Sequence, residues 1–187
     1  MSVLLNDAAG ELRSIQVHYD GEKAIFSYGK GGDPSIHLYE IDVDGNNLTR
    51  ITPDDNEVDI SPCYLPNGGI VFTSTRSHRA VACSNTDAVT LHRCRADGSR
   101  IFPISASLEH ERGICALADG RLLFSHWGYC YRGPHYIHAL FTCNPDGTGV
   151  MTAFGNMHPS PKNWFPDTAC QMPESACVMF EHFLGNG

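Results

Sequence analysis

Between Ser125 and His138 the chain gathers His126, Trp127, Tyr129, Cys130, Tyr131, Arg132, His135, Tyr136 and His138. Imidazole and thiolate are ligand types that suit zinc or iron. His126, Cys130 and His135 form the candidate metal set. Trp127, Tyr129, Arg132, His135 and Tyr136 form the candidate ligand-binding set. The spacing of the histidines and the cysteine matches no recognised zinc signature. The competing reading packs Trp127 and Tyr129 between repeat units and leaves the histidines on a solvated connection.

Other chemistry-bearing stretches are sparser. The run STRSHRAVACSNTDAVT after Phe72 offers Arg76, His78, Arg79 and Cys83, with Arg76 available to pair with a carboxylate. Glu181 and His182 adjoin on a strand-like run, so their side chains point to opposite faces and do not act together. No serine-nucleophile motif, glycine-rich phosphate loop or paired-carboxylate pattern is present. No catalytic residue is assigned.

The elements that must hold these groups repeat. LYEIDVDGNNLTRIT from Leu38, LHRCRADGSRIFPIS from Leu91 and LFTCNPDGTGVMTAF from Leu140 align on a turn whose aspartates are Asp44, Asp97 and Asp146. A second motif alternates with it: VHYDGEKAIFSY from Val17, YLPNGGIVFTST from Tyr64, ALADGRLLFSHW from Ala116, and a worn QMPESACVMFEH from Gln171. Each puts a polar turn shortly before a phenylalanine, at Phe26, Phe72, Phe124 and Phe180. Asp-Gly and Asn-Gly supply the positive φ of tight hairpins, so Asp20, Asp44, Asp97 and Asp146 read as turn residues. Two hairpins in every ~50 residues make four strands, the repeat of a β-propeller blade. An antiparallel sandwich is the alternative. The expected fold is all-β, a partial β-propeller of about three to four four-stranded antiparallel blades from a larger propeller. It forms one domain over 1–187, with units at 13–37, 38–78, 91–132 and 137–187.

Composition agrees. With 42% hydrophobic residues in 187 the chain can bury a core. A formal charge of -8 without a basic run argues against nucleic acid as a partner. No apolar stretch approaches the ~20 residues of a membrane span. The start, MSVLLNDAAGEL, lacks the basic region of a signal peptide and reads as a chain beginning inside a domain.

HYDGEKAIFSYGKGGDPSIHLYEIDVDG, PCYLPNGGIVFTSTR, LADGRLLFSHWGYCYRGPHY and NPDGTG resemble the TolB-type propeller repeats of large exported bacterial proteins. In particular they are similar to the middle-domain family of the hydrazine synthase alpha subunit. The resemblance runs from about Arg13 to the end. It implies a periplasmic or extracellular location and raises His135 and Tyr136 above the other loop residues. Propellers of that family have more blades than this chain supplies, and a ring needs at least about four to close. Further blades, or self-association, are therefore expected partners, and an end sheet should expose apolar surface. Covalent haem does not carry over, since no Cys-x-x-Cys-His occurs. Gly128 stands where the relatives carry an acidic residue.

Eight cysteines invite a disulfide reading. Cys63, Cys115 and Cys170, and likewise Cys94 and Cys143, occupy repeat-equivalent positions and read as small core residues. Only Cys83, Cys130 and Cys177 fall outside the pattern, leaving room for one disulfide.

Three functions are compatible with these residues. The first is a non-catalytic propeller scaffold that binds a protein or small molecule at its loop-rich end. The second is a metal-dependent oxidoreductase module with zinc or iron in the 126–138 loop. The third is a carbohydrate- or peptide-processing propeller whose catalytic residues lie in other blades.

Overall fold

The computed structural model describes residues 3–53, 55–81, 85–128, 138–155 and 164–184, with side chains except at 164–167 and 182–184. The described fold is all-β. The first sheet holds β1 (Glu11–Val17), β2 (Lys23–Gly29), β3 (His37–Asp42) and β4 (Thr49–Arg50). The second holds β5 (Asp59–Tyr64), β6 (Ile70–Ser74), β7 (Thr90–Cys94) and β8 (Phe102–Pro103). The third holds β9 (Glu111–Ala116), β10 (Leu122–Trp127), β11 (His138–Cys143) and β12 (Met151–Phe154). A hairpin of β13 (Trp164–Gln171) and β14 (Val178–Leu184) follows. Every pairing within these sheets is antiparallel and joins strands adjacent in sequence.

The sheets group the strands differently from the units 13–37, 38–78, 91–132 and 137–187 expected from turn spacing. Each four-stranded sheet contains one complete pair of hairpins, whereas the unit 38–78 takes β3 and β4 from the first sheet and β5 and β6 from the second. Turn spacing measures the period of a repeat but not its phase; hydrogen bonding sets the phase.

Consecutive sheets pack face to face. Ile25 and Leu38 meet Tyr64, Ile70, Phe72 and Cys94 between the first and second sheets. Cys63, Val71 and Leu91 meet Ile114, Leu122, Phe124 and Cys143 between the second and third. Leu123 and Leu140 meet Ala169 and Phe180 of the hairpin. A sheet covered on both sides buries alternate residues on both faces, so all of β6 is buried instead of every second residue. Phe26, Phe72 and Phe124 are almost wholly buried, as their place in the repeat predicts. β1 departs from this pattern. Its Leu12, Ile15 and Val17 are 50%, 62% and 57% exposed, because no sheet covers that flank of β1 among the described residues.

Cysteine placement follows the same logic. Cys63, Cys94 and Cys143 are buried and Cys115 is half-buried, as the repeat positions predict. Cys170 is instead exposed, a correction that follows from its position on the last described hairpin. Cys177 is a free thiol too, while Cys83 and Cys130 lie outside the described residues. Among the described residues no helix is long and apolar enough to cross a membrane.

The turn glycines lock the stacking. Gly98 and Gly147 sit at φ +76° and +83°, and a Cβ on either would collide with a carbonyl oxygen of the preceding inter-sheet connection, Ile51 or Ile104. Gly120 has a similar φ of +87°, but an added Cβ there meets nothing within 4 Å. All three share the cost of an L side chain in the left-handed region, about 1 kcal/mol. Only Gly98 and Gly147 add a clash between sheets. Gly147→Ala should therefore lower unfolding free energy by at least twice as much as Gly120→Ala in urea titrations. Equal losses would show that the turn-to-connection packing contributes nothing.

Candidate functional site

The connections divide by length between the two ends of the sheets. Tight turns such as 18–22, 65–69 and 117–121 close one end, and the connections 30–36, 51–58, 75–89 and 104–110 gather at the other. The sheets share this orientation because Asp59 N–H donates to Ile36 O at 2.7 Å and Glu111 N–H to Val89 O at 2.9 Å. Each first strand thus starts beside the third strand of the sheet before it.

At the loop-bearing end of the third sheet, His126 and Trp127 belong to β10 rather than to a loop. They pair with Ala139 and His138 of β11, so they are neighbours on a strand and face opposite ways. His126 lies edge-on to Phe141, with ring centroids 5.1 Å apart, and its Nδ1 is 3.9 Å from Glu111 Oε1. Trp127 is stacked between His110 and His138, at centroid separations of 5.8 and 6.2 Å. The structure therefore separates His126 from Trp127 instead of joining them in one pocket. Tyr129, Cys130, Arg132, His135 and Tyr136 lie outside the described residues. Among the described residues no group of three or more His, Cys, Asp or Glu side chains could hold a metal ion.

Glu111 is the most perturbed acid at this end. Burial pushes its carboxyl up to about 7, against the opposing effect of the hydrogen bonds it accepts. Those bonds come from Leu91 N–H at 2.9 Å and the Ser105 hydroxyl at 2.8 Å. Leu38, which corresponds to Leu91 in the first sheet, donates its N–H to Thr52 Oγ1 at 3.0 Å instead. Glu111 thus serves as a tie between sheets, satisfying a backbone donor that stacking would otherwise orphan. Burial also lowers His110 and His138 to about 4, and lowers His92 and His126 below the usual imidazole value.

The second sheet carries a related tie. Arg76 donates through Nη2 to Asp59 Oδ2 at 2.7 Å and also bonds Asp55, so the carboxylate pairing expected for it is present. Asp59 is fully buried and occupies the repeat position of Glu111. Desolvation would raise its pKa, but nearby His37, with Nδ1 3.9 Å away, and the hydrogen bond from Arg76 outweigh this and hold it below the ordinary value. His78 reaches Glu57 at 3.3 Å, and Arg79 donates to Ser107 O at 2.8 Å, tying the long connection to the next one. These groups of the second connection hold strands and loops; Cys83 lies outside the described residues.

Sequence reasoning missed a third feature. All four first strands are irregular at the same place, with register shifts at Arg13–Gln16 in β1, Ile60–Cys63 in β5, opposite Leu123–Ser125 in β9 and Pro166–Ala169 in β13. Ser14, Ser61 and Gly113 have φ of 49°, 54° and 60° there, and Gly113 N–H donates to Ser61 Oγ at 3.3 Å. These bulges converge on one cavity of about 200 Å³, lined by Arg13, Ser14, Ser61, Arg112, Gly113 and Thr168. Bulges re-aim side chains and backbone donors, and they concentrate next to functional sites. The Arg112 guanidinium, that of Arg13 (which also bonds Glu11) and three hydroxyls give this cavity donors for a carbonyl or anionic group. The available signal was the repeat equivalence of Arg13 with Arg112 and of Ser14 with Ser61, which turn motifs alone do not emphasise.

No protein-family model matches the sequence, and no curated protein matches it. Solved structures do match. Hydrazine synthase of Kuenenia stuttgartiensis superposes with a TM-score of 0.73 at 18% identity, over 90% of this chain and 28% of that one. TolB of Acinetobacter baumannii gives 0.55 at 14% identity, over 82% and 34%. A chain of the nidogen/laminin complex gives 0.70 at 13% identity, over 96% and 59%. The likeness is one of fold. The chain spans less than two thirds of each of these structures, so their activities as whole proteins do not transfer with the fold.

The perturbed groups set a pH dependence. Between pH 4.5 and 6.5 the unfolded chain binds more protons at His110 and His138, and the folded chain binds one more at Glu111. His92 and His126 act in the same direction as the other imidazoles. The histidines outweigh the carboxyl, so stability should rise with pH across that window and level off near pH 7, where Glu111 ionises. In Glu111→Gln the rise should steepen and continue to neutral pH, read from urea midpoints. Parallel profiles for the two proteins would mean that Glu111 titrates as an ordinary carboxyl.

Proposed function

We propose that this chain is a section of a β-propeller that acts as a non-catalytic binding module, its ligand docking at the loop-bearing end. The convergence of four bulged first strands on one polar cavity carries the reading. In a propeller the first strands of successive blades surround the central axis, and a ligand group entering there meets donors from every blade at once. The ionisable groups around that entrance support binding over catalysis, because Asp59, Arg76 and Glu111 are engaged in holding strands together. The connection 128–137 adjoins Trp127 and His138 in sequence, and its Tyr129, Arg132, His135 and Tyr136 are further candidates for contacting the ligand. The likeness to a chain of the nidogen/laminin complex is compatible with a protein ligand.

Leu12, Ile15 and Val17 mark where a further blade would pack, from a longer chain or from a second copy. Their equivalents at the next junction, Asp59, Pro62 and Tyr64, are buried against the first sheet. The resemblance to exported repeat proteins supports a location outside the cytoplasm.

A photo-crosslinking residue at Ile60, on the cavity wall, should capture a partner from envelope extract, and the same residue at the exposed turn position Asp44 should not. The Arg13→Gln/Arg112→Gln variant should retain its unfolding midpoint and lose most of the cross-link. Equal capture from both positions, or none from Ile60, would reject docking at this end.

A further inference from the structure

The tight-turn end of the second sheet carries a groove that lies away from the loop-bearing end. Its volume is about 330 Å³, within the usual range for small-molecule sites. The Asn67–Gly69 turn forms one wall, and Arg93, Arg95, Arg100 and Phe102 form the rest. Gly69 keeps the wall open, since a Cβ there would sit 3.4 Å from Arg93 Nε and 3.3 Å from Cys94 O.

The repeats provide an internal control for these side chains. Counting from the turn aspartates Asp44, Asp97 and Asp146, the position of Arg93 holds Glu40 in the first sheet and Thr142 in the third. Arg95 corresponds to Asp42 and Asn144, and Arg100 to Asn47 and Gly149. Three positions without a positive charge in either other sheet are all arginine here, in a chain of net charge -8. Stacking cannot require this, because the same turn packs in the other sheets without it.

Arg100 is also conformationally costly. Its φ is 55°, matching 54° at Asn47 and 66° at Gly149, and asparagine and glycine are the residues that accept this region. In the first sheet Asn47 donates to Asp42 at 2.7 Å, closing the turn through its own side chains. Arg95 and Arg100, both donors only, cannot close the turn in this way. Asp97, the acid of this turn, accepts the N–H of Ser99 at 2.9 Å. Among the described residues no ion pair joins Arg93, Arg95 or Arg100 to a carboxylate. Arg93 Nη1 donates to Pro145 O at 3.3 Å, which anchors one guanidinium from the third sheet. Phe102 leaves a hydrophobic ring 47% exposed at the edge of the groove.

We propose that this groove binds a phosphate monoester, its dianion held by Arg93, Arg95 and Arg100 and its organic part laid against Phe102. Guanidinium groups match phosphate oxygens in paired, planar hydrogen bonds, and three of them suit a dianion with three free oxygens. The ligand adds to the partial charge balance that Asp97 and Asp146 give Arg95 and Arg93, and offsets the backbone cost at Arg100.

Phenyl phosphate, inorganic phosphate and benzoate, titrated into the full chain by calorimetry at low salt, test the assignment. Phenyl phosphate should bind saturably, inorganic phosphate more weakly, and benzoate weakest. Arg95→Gln/Arg100→Asn should weaken phenyl phosphate binding at least tenfold while keeping or raising the melting temperature, since asparagine suits φ near 55°. Phe102→Ala should bring phenyl phosphate down to the affinity of inorganic phosphate. The double variant should leave cross-linking from Ile60 unchanged, which separates this site from the loop-bearing end. No saturable binding of phenyl phosphate, or equal affinity in the double variant, would overturn the proposal.

Discussion

The architecture depends on a sheet with two apolar faces. Four short antiparallel strands bury one face against a neighbour and still leave another in water, so each sheet needs a second sheet beyond it. Ile25, Tyr64, Ile70 and Phe72 fill one junction, and Val71, Leu91, Leu122 and Phe124 the next. Adjacent residues of β6 therefore serve opposite junctions, and none can be polar and solvated. The same requirement makes β1 conspicuous, because its apolar side chains stand in water where those of β5 are covered.

Stacking brings backbone groups from different sheets together, and they must be satisfied. Thr52 and Glu111 accept the N–H groups of Leu38 and Leu91 at corresponding places, and Asp59 is held by Arg76. Burial of Glu111 in this tie, only partly opposed by the bonds it accepts, accounts for its raised carboxyl without invoking catalysis. A shifted pKa in a cleft is a pointer to function, but here the hydrogen-bond partners are backbone and connection rather than open space. What is aimed at open space is the set of bulges in the first strands and, at the opposite end, three arginines of the second sheet. Both features break a local rule: positive φ at Ser14 and Ser61 in one, and at Arg100 in the other. A residue held in such a region is a starting point for a hypothesis of function.

Much of the fold could be read from the chain. The Asp-Gly turns and the phenylalanines at 26, 72 and 124 give strand content, strand number and the burial of the rings, because hairpins and their apolar partners are set within a few residues. Less of the candidate site could be read. A cluster of His, Trp, Tyr and Cys residues draws attention by composition, yet β10 extends through Trp127 and turns His126 to the other face. Strand length at that point depends on pairing with Ala139 and His138 of β11, beyond the reach of local propensity. Arg13 and Arg112 carry no local motif and line one cavity only because the first and third sheets both pack on the second. The arginines at 93, 95 and 100 were visible in the repeat alignment and stand out only once compared position by position with their counterparts.

The sequence by itself determined an all-β chain, the four-strand repeat, the turn chemistry and the small buried thiols at Cys63, Cys94 and Cys143. Each follows from short-range geometry: positive φ at the turns, alternation along strands and a recurring small apolar position. Only the tertiary structure decided the phase of the sheets, the exposure of Cys170, the engagement of Glu111 and Asp59, and which side chains share a cavity. Those properties depend on what lies across a junction about 50 residues away, and a face-to-face contact between sheets leaves no mark on the spacing of residues within either one.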